Sequence, residues 1–446
     1  MHNRLRQPTV CLISLGCAKN LVNSEQMLYL LKEAGFALQS EPEGADAAVL
    51  NTCGFIESAK SEAIGEILRL ARLKEAGLLK KLVVCGCLPQ RYQREILAEL
   101  PEIDALVGVG SFGEIVSAVR AALGGQHPAL FGDKHAPDPE SGRLVSTGPG
   151  WAYLKIAEGC DNRCAYCVIP DIRGKYRSRP MEKIIAEAED LCARGVRELI
   201  IVAQDTTRYG LDLYGARKLV PLLRELAKID GAAWIRLHYL YPDELDDALI
   251  DLVAAEPKIL KYLDIPIQHI DSSILRRMNR RGSGDEIRAL FKKLRERIPG
   301  LVLRTSLITG LPGEGEAEFD ALCAFLRLNK LERAGVFAYS PEEGSPAAEM
   351  PDRCDGETAQ KRQELVMALQ AEIMDAFDRS RVGETYDVLC VGAGAPGGPR
   401  VGRSFAESPD VDGVILFSGE ASPGELVRVR ITEAADGELY GERVEN

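Results

Sequence analysis

The chain has 446 residues, a formal net charge of −12 and 46% hydrophobic residues, which suffices for two to four domains with buried cores. No segment approaches the roughly 20 consecutive apolar residues of a membrane span. The apolar run near the N-terminus is followed by polar AKN, which argues against a secretory signal. The acidic balance disfavours a protein that coats nucleic acid. Twelve cysteines favour cytoplasmic metal or redox work over a disulfide scaffold.

The first region, residues 1–125, alternates strand and helix patterns. VCLISLG, AAVLNTCG and KKLVVCGC predict strands, and SAKSEAIGEILRLARLKEAG predicts a helix. Between the first two strands, NSEQMLYLLKEAG predicts a helix that is capped by Asn23 or Ser24 and ended by Gly35. This order predicts a doubly wound parallel sheet in an α/β domain. Residues 126–150, rich in Gly, Pro and charged residues, predict a linker or a surface excursion.

Two further regions follow. Residues 151–377 contain strand patterns at AYLKIAEG, ELIIVAQD, WIRLHYL, YLDIPIQ, LVLRTSLITG and AGVFAYS, with helical stretches such as MEKIIAEAEDLCARG and SGDEIRALFKKLRERI between them. This alternation predicts a partial or complete α/β barrel of the TIM type, with its chemistry at the carboxyl ends of the strands. In residues 378–446, the short patterns ETYDVLCVG, VILFSG, ELVRVRITEA and ELYGERV predict a small antiparallel β-barrel.

The stretch EGCDNRCAYCVIP, residues 158–170, places Cys160 at the end of AYLKIAEG, the first strand of the predicted barrel, and Cys164 and Cys167 on the loop just beyond. Three thiolates on a tight loop can hold three irons of a 4Fe–4S cube. The fourth iron is then open to the amino and carboxylate groups of S-adenosylmethionine, whose reductive cleavage releases a 5′-deoxyadenosyl radical. The alternative is a zinc site with a distant fourth ligand. The spacing, with Tyr166 before the third cysteine, resembles the radical S-adenosylmethionine superfamily.

Other strand ends in this region carry candidates for binding the nucleotide-like cofactor. Polar residues at the carboxyl ends of barrel strands typically line a site, and glycine lets the backbone approach a ligand closely. In the resemblance, TSLITGLPGE contacts the adenosine; the alternative is an ordinary strand-to-helix turn. His269, next to Gln268 at the end of the strand YLDIPI, can line the site or can equally be a buried structural histidine. The candidates are Gln204, Asp205, Gln268, Gly310, Gly313 and Glu314.

The first region contains a second trio of cysteines. Cys17, Cys53 and Cys87 each follow a predicted strand, at intervals of 36 and 34 residues, about one βα unit each. In a parallel sheet this spacing brings all three to the edge where ligands bind. The spacing predicts a second cluster site, which again offers three thiolates for the four irons of a cube. The alternative is unrelated core cysteines, and Cys11 and Cys85, inside strands, fit that description.

The motifs SLGCAKNLVNSEQ, NTCGFIESA, CGCLPQRY and EGCDNRCAYCVIPDIRGKYRSR resemble the methylthiotransferases. These are radical S-adenosylmethionine enzymes with an N-terminal cluster domain and a C-terminal TRAM barrel, and the resemblance covers nearly the whole chain. It implies two 4Fe–4S clusters, an auxiliary one on the first-region cysteines and a radical-generating one on the barrel cysteines. One S-adenosylmethionine would methylate the sulfur, and another would make the radical that removes hydrogen from an unactivated carbon. No protein side chain is assigned as catalytic.

The substrate is predicted from charge. From Val382 onward there are twelve Asp or Glu against five Arg and no Lys, and this barrel would repel phosphate and attract a basic protein. AEGCDNRC, VAQDTTRYG, LHYLYP and LDIPIQH resemble the aspartate-modifying branch, the RimO type, which implies β-methylthiolation of an aspartate of ribosomal protein S twelve. The alternatives are a transfer RNA adenosine as substrate, or a non-enzymatic iron–sulfur scaffold with a binding barrel.

The resemblance also implies partners. They are ribosomal protein S twelve or the small ribosomal subunit, and an electron donor, in the cytoplasm and without a membrane. The sulfur atom can come either from a sulfur carrier or from the cluster itself, and the sequence does not distinguish these two sources. The basic cluster IRGKYRSRP, residues 172–180, is predicted to be either a rim of the site or an ordinary solvated loop.

Overall fold

The structure is a computed structural model that describes residues 7–137, 140–394 and 397–445. These residues form two compact units. The first comprises the described residues of Met1–Ser146 together with Ala157–Arg179 and Glu342–Ser345. The second comprises the described residues of Thr147–Ile156, Pro180–Pro341 and Pro346–Asn446. The cysteine-rich stretch of residues 158–170 therefore belongs to the same unit as the N-terminal region.

The regular elements are numbered in chain order. The strands are β1 (Thr9–Ser14), β2 (Ala37–Gln39), β3 (Ala47–Thr52), β4 (Lys81–Gly86), β5 (Ala105–Val107), β6 (Ala129–Leu130), β7 (Trp151–Lys155), β8 (Ala157–Glu158), β9 (Arg177–Ser178), β10 (Glu198–Val202), β11 (Trp234–Leu237), β12 (Ile259–Asp264), β13 (Val302–Thr309), β14 (Arg333–Ala338), β15 (Thr385–Ala393), β16 (Arg400–Arg403), β17 (Ile415–Ser418), β18 (Leu426–Ala435) and β19 (Glu438–Arg443). The helices are α1 (Ala18–Glu33), α2 (Glu57–Glu75), α3 (Cys87–Tyr92), α4 (Glu95–Glu99), α5 (Ile115–Leu123), α6 (Ile169–Arg173), α7 (Met181–Ala193), α8 (Leu211–Tyr214), α9 (Leu219–Ala227), α10 (Asp247–Ala255), α11 (Ser272–Arg277), α12 (Gly284–Arg297), α13 (Glu316–Asn329) and α14 (Gly356–Ser380).

The predicted parallel sheet of the N-terminal region is confirmed. Its strands run in the order β2-β1-β3-β4-β5-β6, and each pairing is parallel. Strand β3 is buried along its whole length, as expected for a parallel sheet covered on both faces. One core cluster joins the sheet to α1 and α5, and another joins it to α2 and α4. Helices on both faces make this the doubly wound arrangement.

Helix α1 begins earlier than the sequence predicted. Its N-cap is Cys17, whereas Asn23 and Ser24 lie buried inside the helix. Ser24 does not cap the helix because its hydroxyl donates to Ser14 Oγ at 2.8 Å and accepts from Asn51 Nδ2 at 2.8 Å. The helix ends as predicted, just before Gly35 with its φ of +90°. The earlier start puts a cysteine at the N-terminus of α1.

The stretch that follows the first sheet is attached to the first unit. Strand β6 extends the sheet by pairing with β5. Farther along, the Glu25 carboxylate of α1 accepts from the Ser146 backbone N–H at 2.6 Å, and the Glu25 carbonyl accepts from Leu144 N at 3.1 Å. Arg143 Nε lies 3.3 Å from the same carboxylate, and both side chains are buried. These contacts tether residues 143–146 to α1.

The predicted strand AYLKIAEG is divided in two. Strand β7 ends at Lys155 and belongs to the second unit. Strand β8 belongs to the first unit, where it pairs antiparallel with β9. The prediction that Cys160 ends a barrel strand was therefore wrong, because the backbone of β8 pairs with β9 instead of continuing the large sheet. The segment between β8 and β9 carries all three cysteines and α6.

The barrel strands of the middle region are confirmed. In the described residues of the second unit, six parallel strands run in the order β14-β13-β12-β11-β10-β7, with helices such as α7 and α12 between them. Helix α12 begins with a capping box in which Ser283 and Glu286 satisfy each other's backbone N–H groups. The sheet is open between β14 and β7, so it is the partial form of the barrel.

The C-terminal barrel is also confirmed, with one strand that the sequence did not predict. Its order is β15-β16-β17-β19-β18, and it is closed. Strand β16 was missed because its sequence, RVGR, has neither an apolar run nor a β-branched pattern. The pairing of β17 with β19 is parallel, whereas the others are antiparallel. In the part of the chain that the structure describes, every helix is too short or too polar to span a bilayer.

Candidate metal centre

Cys17, Cys53 and Cys87 lie at one edge of the first sheet. Their strands β1, β3 and β4 are direct neighbours, and each cysteine follows the carboxyl end of its strand. Cys17 caps α1, and Cys87 opens α3. The carboxyl ends of parallel strands meet at the same edge, where ligands bind in open α/β sheets. The structure thus brings together the three cysteines that the spacing singled out.

The glycines beside these cysteines allow their loops to approach closely. A Cβ at Gly16 would lie 2.8 Å from Cys53 Cβ and 3.5 Å from its Sγ. A Cβ at Gly54 would lie 2.8 Å from the Cα of Leu88, the residue after Cys87. The loop of Cys17 therefore packs against that of Cys53, and the loop of Cys53 against that of Cys87.

Burial and neighbouring charges set the protonation of the three thiols. Burial raises the pKa of Cys53 to about 12, and the charges of Cys87 and Cys17 add to the rise. Burial raises the pKa of Cys87 as well, with Arg173 opposing it. For Cys17, burial would raise the pKa, but Lys19, Arg173 and the Asn20 N–H outweigh it and lower the pKa below its usual value. Coordination to a metal group would remove the thiol protons, including those that burial retains on Cys53 and Cys87.

A buried arginine lies against this trio. Arg173, at the end of α6, is 2% exposed, and its Nε donates to Cys87 Sγ at 3.3 Å. Its Nη1 donates to the Glu158 carboxylate at 2.8 Å, and its Nη2 donates to Asn20 Oδ1 at 2.9 Å. Burial alone would lower the pKa of Arg173, but the charges of Cys87, Glu158 and Cys17 raise it well above its ordinary value. The edge therefore contains a permanent positive charge.

The second trio lies on the segment between β8 and β9. Cys160 and Cys164 are buried, and Cys167 is partly exposed. Cys160 N donates to Gly174 O at 3.1 Å, and Cys167 N donates to Cys164 O at 3.0 Å, so the loop is closed on itself. These bonds hold the three thiols on one tight loop of the first unit.

The donor sets fit the two cubes that the sequence predicted. Within the described residues, no three His, Cys, Asp or Glu side chains already surround a single metal ion. A 4Fe–4S cube takes one thiolate per iron, so its ligands need not converge on one ion. Three thiols at one edge, with the buried Arg173 to offset thiolate charge, supply three such ligands. The loop of Cys160, Cys164 and Cys167 supplies three more.

The remaining predicted site residues are divided between the units. Tyr166 lies on the cysteine loop of the first unit. The others all follow the carboxyl ends of strands in the second unit, namely Gln204 and Asp205 after β10, Gln268 after β12, and Gly310, Gly313 and Glu314 after β13. Gln268 has a φ of +70°, rare for a residue with a side chain. The structure brings this second group to one edge of its sheet, as the barrel prediction implied.

Glu314 is engaged inside its own turn. Its carboxylate accepts from Gly310 N at 2.9 Å and from Arg362 Nη1 at 3.0 Å. His269 Nε2 lies 3.3 Å from the same carboxylate, and both side chains are fully buried. His269 Nδ1 accepts from Asp271 N at 3.0 Å. This environment fits the alternative of a buried structural histidine, and it gives Glu314 the role of shaping the turn.

Some residues of the site were missed from the sequence, and two simple predictions are confirmed. Cys11 and Cys85 are fully buried core residues, as predicted. Arg173 was placed in the cluster IRGKYRSRP as a rim or a solvated loop, yet it is buried against Cys87. Arg173, Asn20 and Glu158 all lie inside the motifs that carry the family resemblance, but the sequence singled out none of them as a site residue. The roles of Asn20 and Glu158 depend on Arg173, whose burial the sequence did not indicate.

Family models match three parts of the chain. Residues 9–108 match the uncharacterized protein family UPF0004, residues 154–326 match the radical SAM superfamily, and residues 382–444 match the TRAM domain. Among solved structures, the radical S-adenosylmethionine methyltransferase TsrM from Kitasatospora setae aligns with a TM-score of 0.56 at 15% identity, covering 76% of this chain and 74% of that one. The cobalamin-dependent radical enzyme OxsB aligns with a TM-score of 0.53 at 13% identity, covering 83% of this chain and 56% of that one. These likenesses are of fold.

Curated relatives are far more similar. The ribosomal protein uS12 methylthiotransferase RimO of Desulforamulus reducens is 49% identical over 440 residues, which cover 98% of this chain and 99% of that protein. The protein of the same name from Syntrophus aciditrophicus is 47% identical over 452 residues, with 98% and 99% covered. The chain belongs to the ribosomal protein uS12 methylthiotransferase RimO family of the radical SAM superfamily.

Proposed function

We propose that the protein transfers a methylthio group to the β-carbon of an aspartate of ribosomal protein uS12. The observation that carries the proposal is the pair of cysteine trios in one compact unit, in a chain of this family. Two 4Fe–4S clusters and S-adenosylmethionine, when bound, supply the sulfur, the methyl group and the radical that removes a hydrogen atom.

Each cysteine trio then has one task. Cys17, Cys53 and Cys87 would hold the auxiliary cluster, which would supply the sulfur. The other trio, Cys160, Cys164 and Cys167, would hold the cluster that supplies the electron for cleavage of S-adenosylmethionine. Three thiols for four irons would leave one coordination position to a ligand from outside the chain, much as a catalytic zinc site keeps an open position. No side chain is needed as a general base for hydrogen abstraction, so the chain's own work is to bind, orient and exclude water.

The cofactor-binding role is assigned to Tyr166 and to the strand-end residues of the second unit. Gln204, Asp205 and Gln268 offer polar groups at the carboxyl edge of the sheet, where ligands bind in this architecture. Gly310 and Gly313, each with positive φ, let the backbone approach a ligand. Glu314 acts from behind this turn, since its carboxylate is engaged by Gly310 N and Arg362.

The proposed function also assigns a role to each domain and names the partners of the reaction. By sequence motif we assign residues 1–125 to the methylthiotransferase N-terminal domain, 126–150 to a linker that contributes strand β6 to its sheet, 151–377 to the radical SAM core and 378–446 to the TRAM domain. The cysteine loop of the radical SAM core, within residues 157–179, packs with the first unit. We further propose that an electron donor reduces the radical-generating cluster and that a sulfur carrier or the cluster itself supplies the sulfur atom. A ribosomal substrate makes the cytoplasm the site of the reaction.

The acidic C-terminal barrel supports a basic protein as substrate. Glu407 and Arg403 are buried in ion pairs, which leaves eleven acidic residues against four arginines from Val382 onward. A transfer RNA substrate would require phosphate contacts that such a surface disfavours. uS12 or the small subunit that contains it is the partner proposed here.

The test has two steps. Anaerobic reconstitution should give roughly eight irons per chain, four for each cube, together with reductive cleavage of S-adenosylmethionine. Mass spectrometry of uS12 from cells that lack the protein should show loss of the methylthio mass from its aspartate. The wild-type chain should restore that mass, and Cys87→Ala should not. An unchanged uS12 mass in the deletion strain would reject the substrate, and zinc without cleavage would reject the chemistry.

A further inference from the structure

Arg173 is linked to every loop that carries a cluster cysteine. Its direct bond is to the Cys87 sulfur, at 3.3 Å. Its side chain is 2% exposed, so this contact is shielded from water. A charge-assisted hydrogen bond in a dry environment is stronger than its solvated equivalent. The contact is therefore a specific one rather than an incidental surface approach.

Asn20 extends the link to the other two cysteines of the first trio. Its Oδ1 accepts from Arg173 Nη2 at 2.9 Å. Its Nδ2 donates to Leu15 O at 2.7 Å, on the loop of Cys17, and to Thr52 O at 3.2 Å, beside Cys53. One amide thus joins two cysteine loops to the arginine that bonds the third.

Glu158 extends the link to the second trio. It lies two residues before Cys160, and its carboxylate accepts from Arg173 Nη1 at 2.8 Å. The pair is buried, with exposed side-chain fractions of 2% for Arg173 and 7% for Glu158. The charge that Arg173 presents to the Cys87 sulfur is consequently balanced in part by a carboxylate from the other cysteine loop.

We propose that Arg173 is a positioning residue that aligns both cysteine trios and sets the reduction potential of the cluster on Cys17, Cys53 and Cys87. The inference rests on the proposed function, which supplies that cluster. Hydrogen bonds to sulfur and nearby charge are established determinants of iron–sulfur potentials. One-electron reduction adds negative charge to the cluster, so Arg173 raises its potential and Glu158 lowers it.

The experiment measures that potential directly. The full-length chain carrying Cys160→Ala, Cys164→Ala and Cys167→Ala is reconstituted anaerobically, so that one cluster remains. Arg173→Gln, Arg173→Lys and Glu158→Gln are then added separately. Dithionite, a one-electron donor in solution, reduces the cluster during a potentiometric titration that is followed by electron paramagnetic resonance. Iron and sulfide analysis accompanies each sample.

The two charge-removing variants should shift the midpoint in opposite directions. Arg173→Gln removes a positive charge and should make it more negative, whereas Glu158→Gln should make it less negative. Arg173→Lys keeps the positive charge but loses the planar set of guanidinium donors. Its midpoint potential should lie between those of wild type and Arg173→Gln. A merely structural arginine would not produce shifts of opposite sign.

The possible failures are distinguishable. Unchanged midpoints in variants with full iron content would overturn the inference and leave the proposed function intact. If Arg173→Gln loses its cluster, the midpoint potentials of Glu158→Gln and Arg173→Lys test the inference instead. Unchanged midpoints at full iron content in these two variants would overturn it. A full-length chain with all cysteines intact that binds no cluster would overturn the proposed function and the inference together.

Discussion

Gly86 shows how strongly the cysteine-bearing edge depends on a residue without a side chain. It stands directly before Cys87 with a φ of +100°. A Cβ there would lie 2.4 Å from Asn51 Oδ1 and 2.5 Å from the carbonyl of Thr52, the residue before Cys53. Both the backbone conformation and the space exclude a larger residue. The close approach of the second and third cysteine loops therefore requires glycine.

Gly86→Ala should destabilise the protein by about 1–3 kcal/mol, through backbone strain and the clash with strand β3. The measurement is the shift of the urea unfolding midpoint, with the iron content after reconstitution as a second readout. Gly65→Ala is the matched control. It lies in the exposed part of α2 with nothing near its Cβ position, and should stabilise the protein by about 0.5–1 kcal/mol. Equal midpoints for the two variants would contradict this account.

At the scale of elements, the end of strand β11 carries a histidine that the fold keeps neutral. His238 Nε2 lies 2.9 Å from Ser408 Oγ, on the segment between β16 and β17. Burial lowers the pKa of His238 to about 3, with help from Arg236 and Arg304 and against the effect of Asp264. The environment at this strand end therefore stabilises the neutral imidazole of His238 relative to its protonated form.

The stability of the protein should consequently fall as the pH drops below about 6.5. The unfolded chain protonates His238 near its ordinary pKa, whereas the folded chain resists protonation down to a pKa of about 3. The unfolded state therefore binds more protons across this window, which costs up to about 1.4 kcal/mol per pH unit.

Urea unfolding at pH 7.0, 6.0 and 5.0 measures the slope. His238→Asn should flatten it, and His127→Asn, at an exposed position, should leave it unchanged. Equal slopes in the two variants would mean that His238 does not govern this loss of stability.

At the scale of the whole molecule, the distribution of charge matters more than its total. The net charge is −12, and the excess of acidic over basic residues from Val382 onward is seven. Several of these acidic side chains, including Asp387 on β15 and Glu433 on β18, are exposed. Long-range attraction of this kind steers a basic partner and weakens as salt screens it.

Reversing two of these charges should weaken binding of isolated uS12, the basic protein. The variant Asp387→Lys with Glu433→Lys should reduce affinity about tenfold at low salt, with the difference shrinking as ionic strength rises. Glu364→Lys with Glu372→Lys, at exposed positions of α14, changes the net charge equally and is the control. Equal losses in both variants would point to net charge rather than to the barrel surface.

The sequence by itself determined the sheets and the cysteine trios. Strand and helix patterns report local alternation of burial, so the strands from β7 to β14 in the large sheet and helices such as α7 were predictable. The regular spacing of Cys17, Cys53 and Cys87 likewise follows from the βα repeat, because parallel strands align their carboxyl ends. These features depend on residues close together in the chain or on a simple repeat.

Only the tertiary structure decided how those parts are joined. It placed β8 and the cysteine loop with the N-terminal unit, moved the start of α1 to Cys17, and recruited RVGR as strand β16. It also buried Arg173 among Cys87, Glu158 and Asn20. An arginine is ordinarily assigned to solvent, because burial of its charge is tolerated only where acceptors surround it. Those acceptors come from distant points of the chain, and their convergence is a property of the folded molecule rather than of any stretch of sequence.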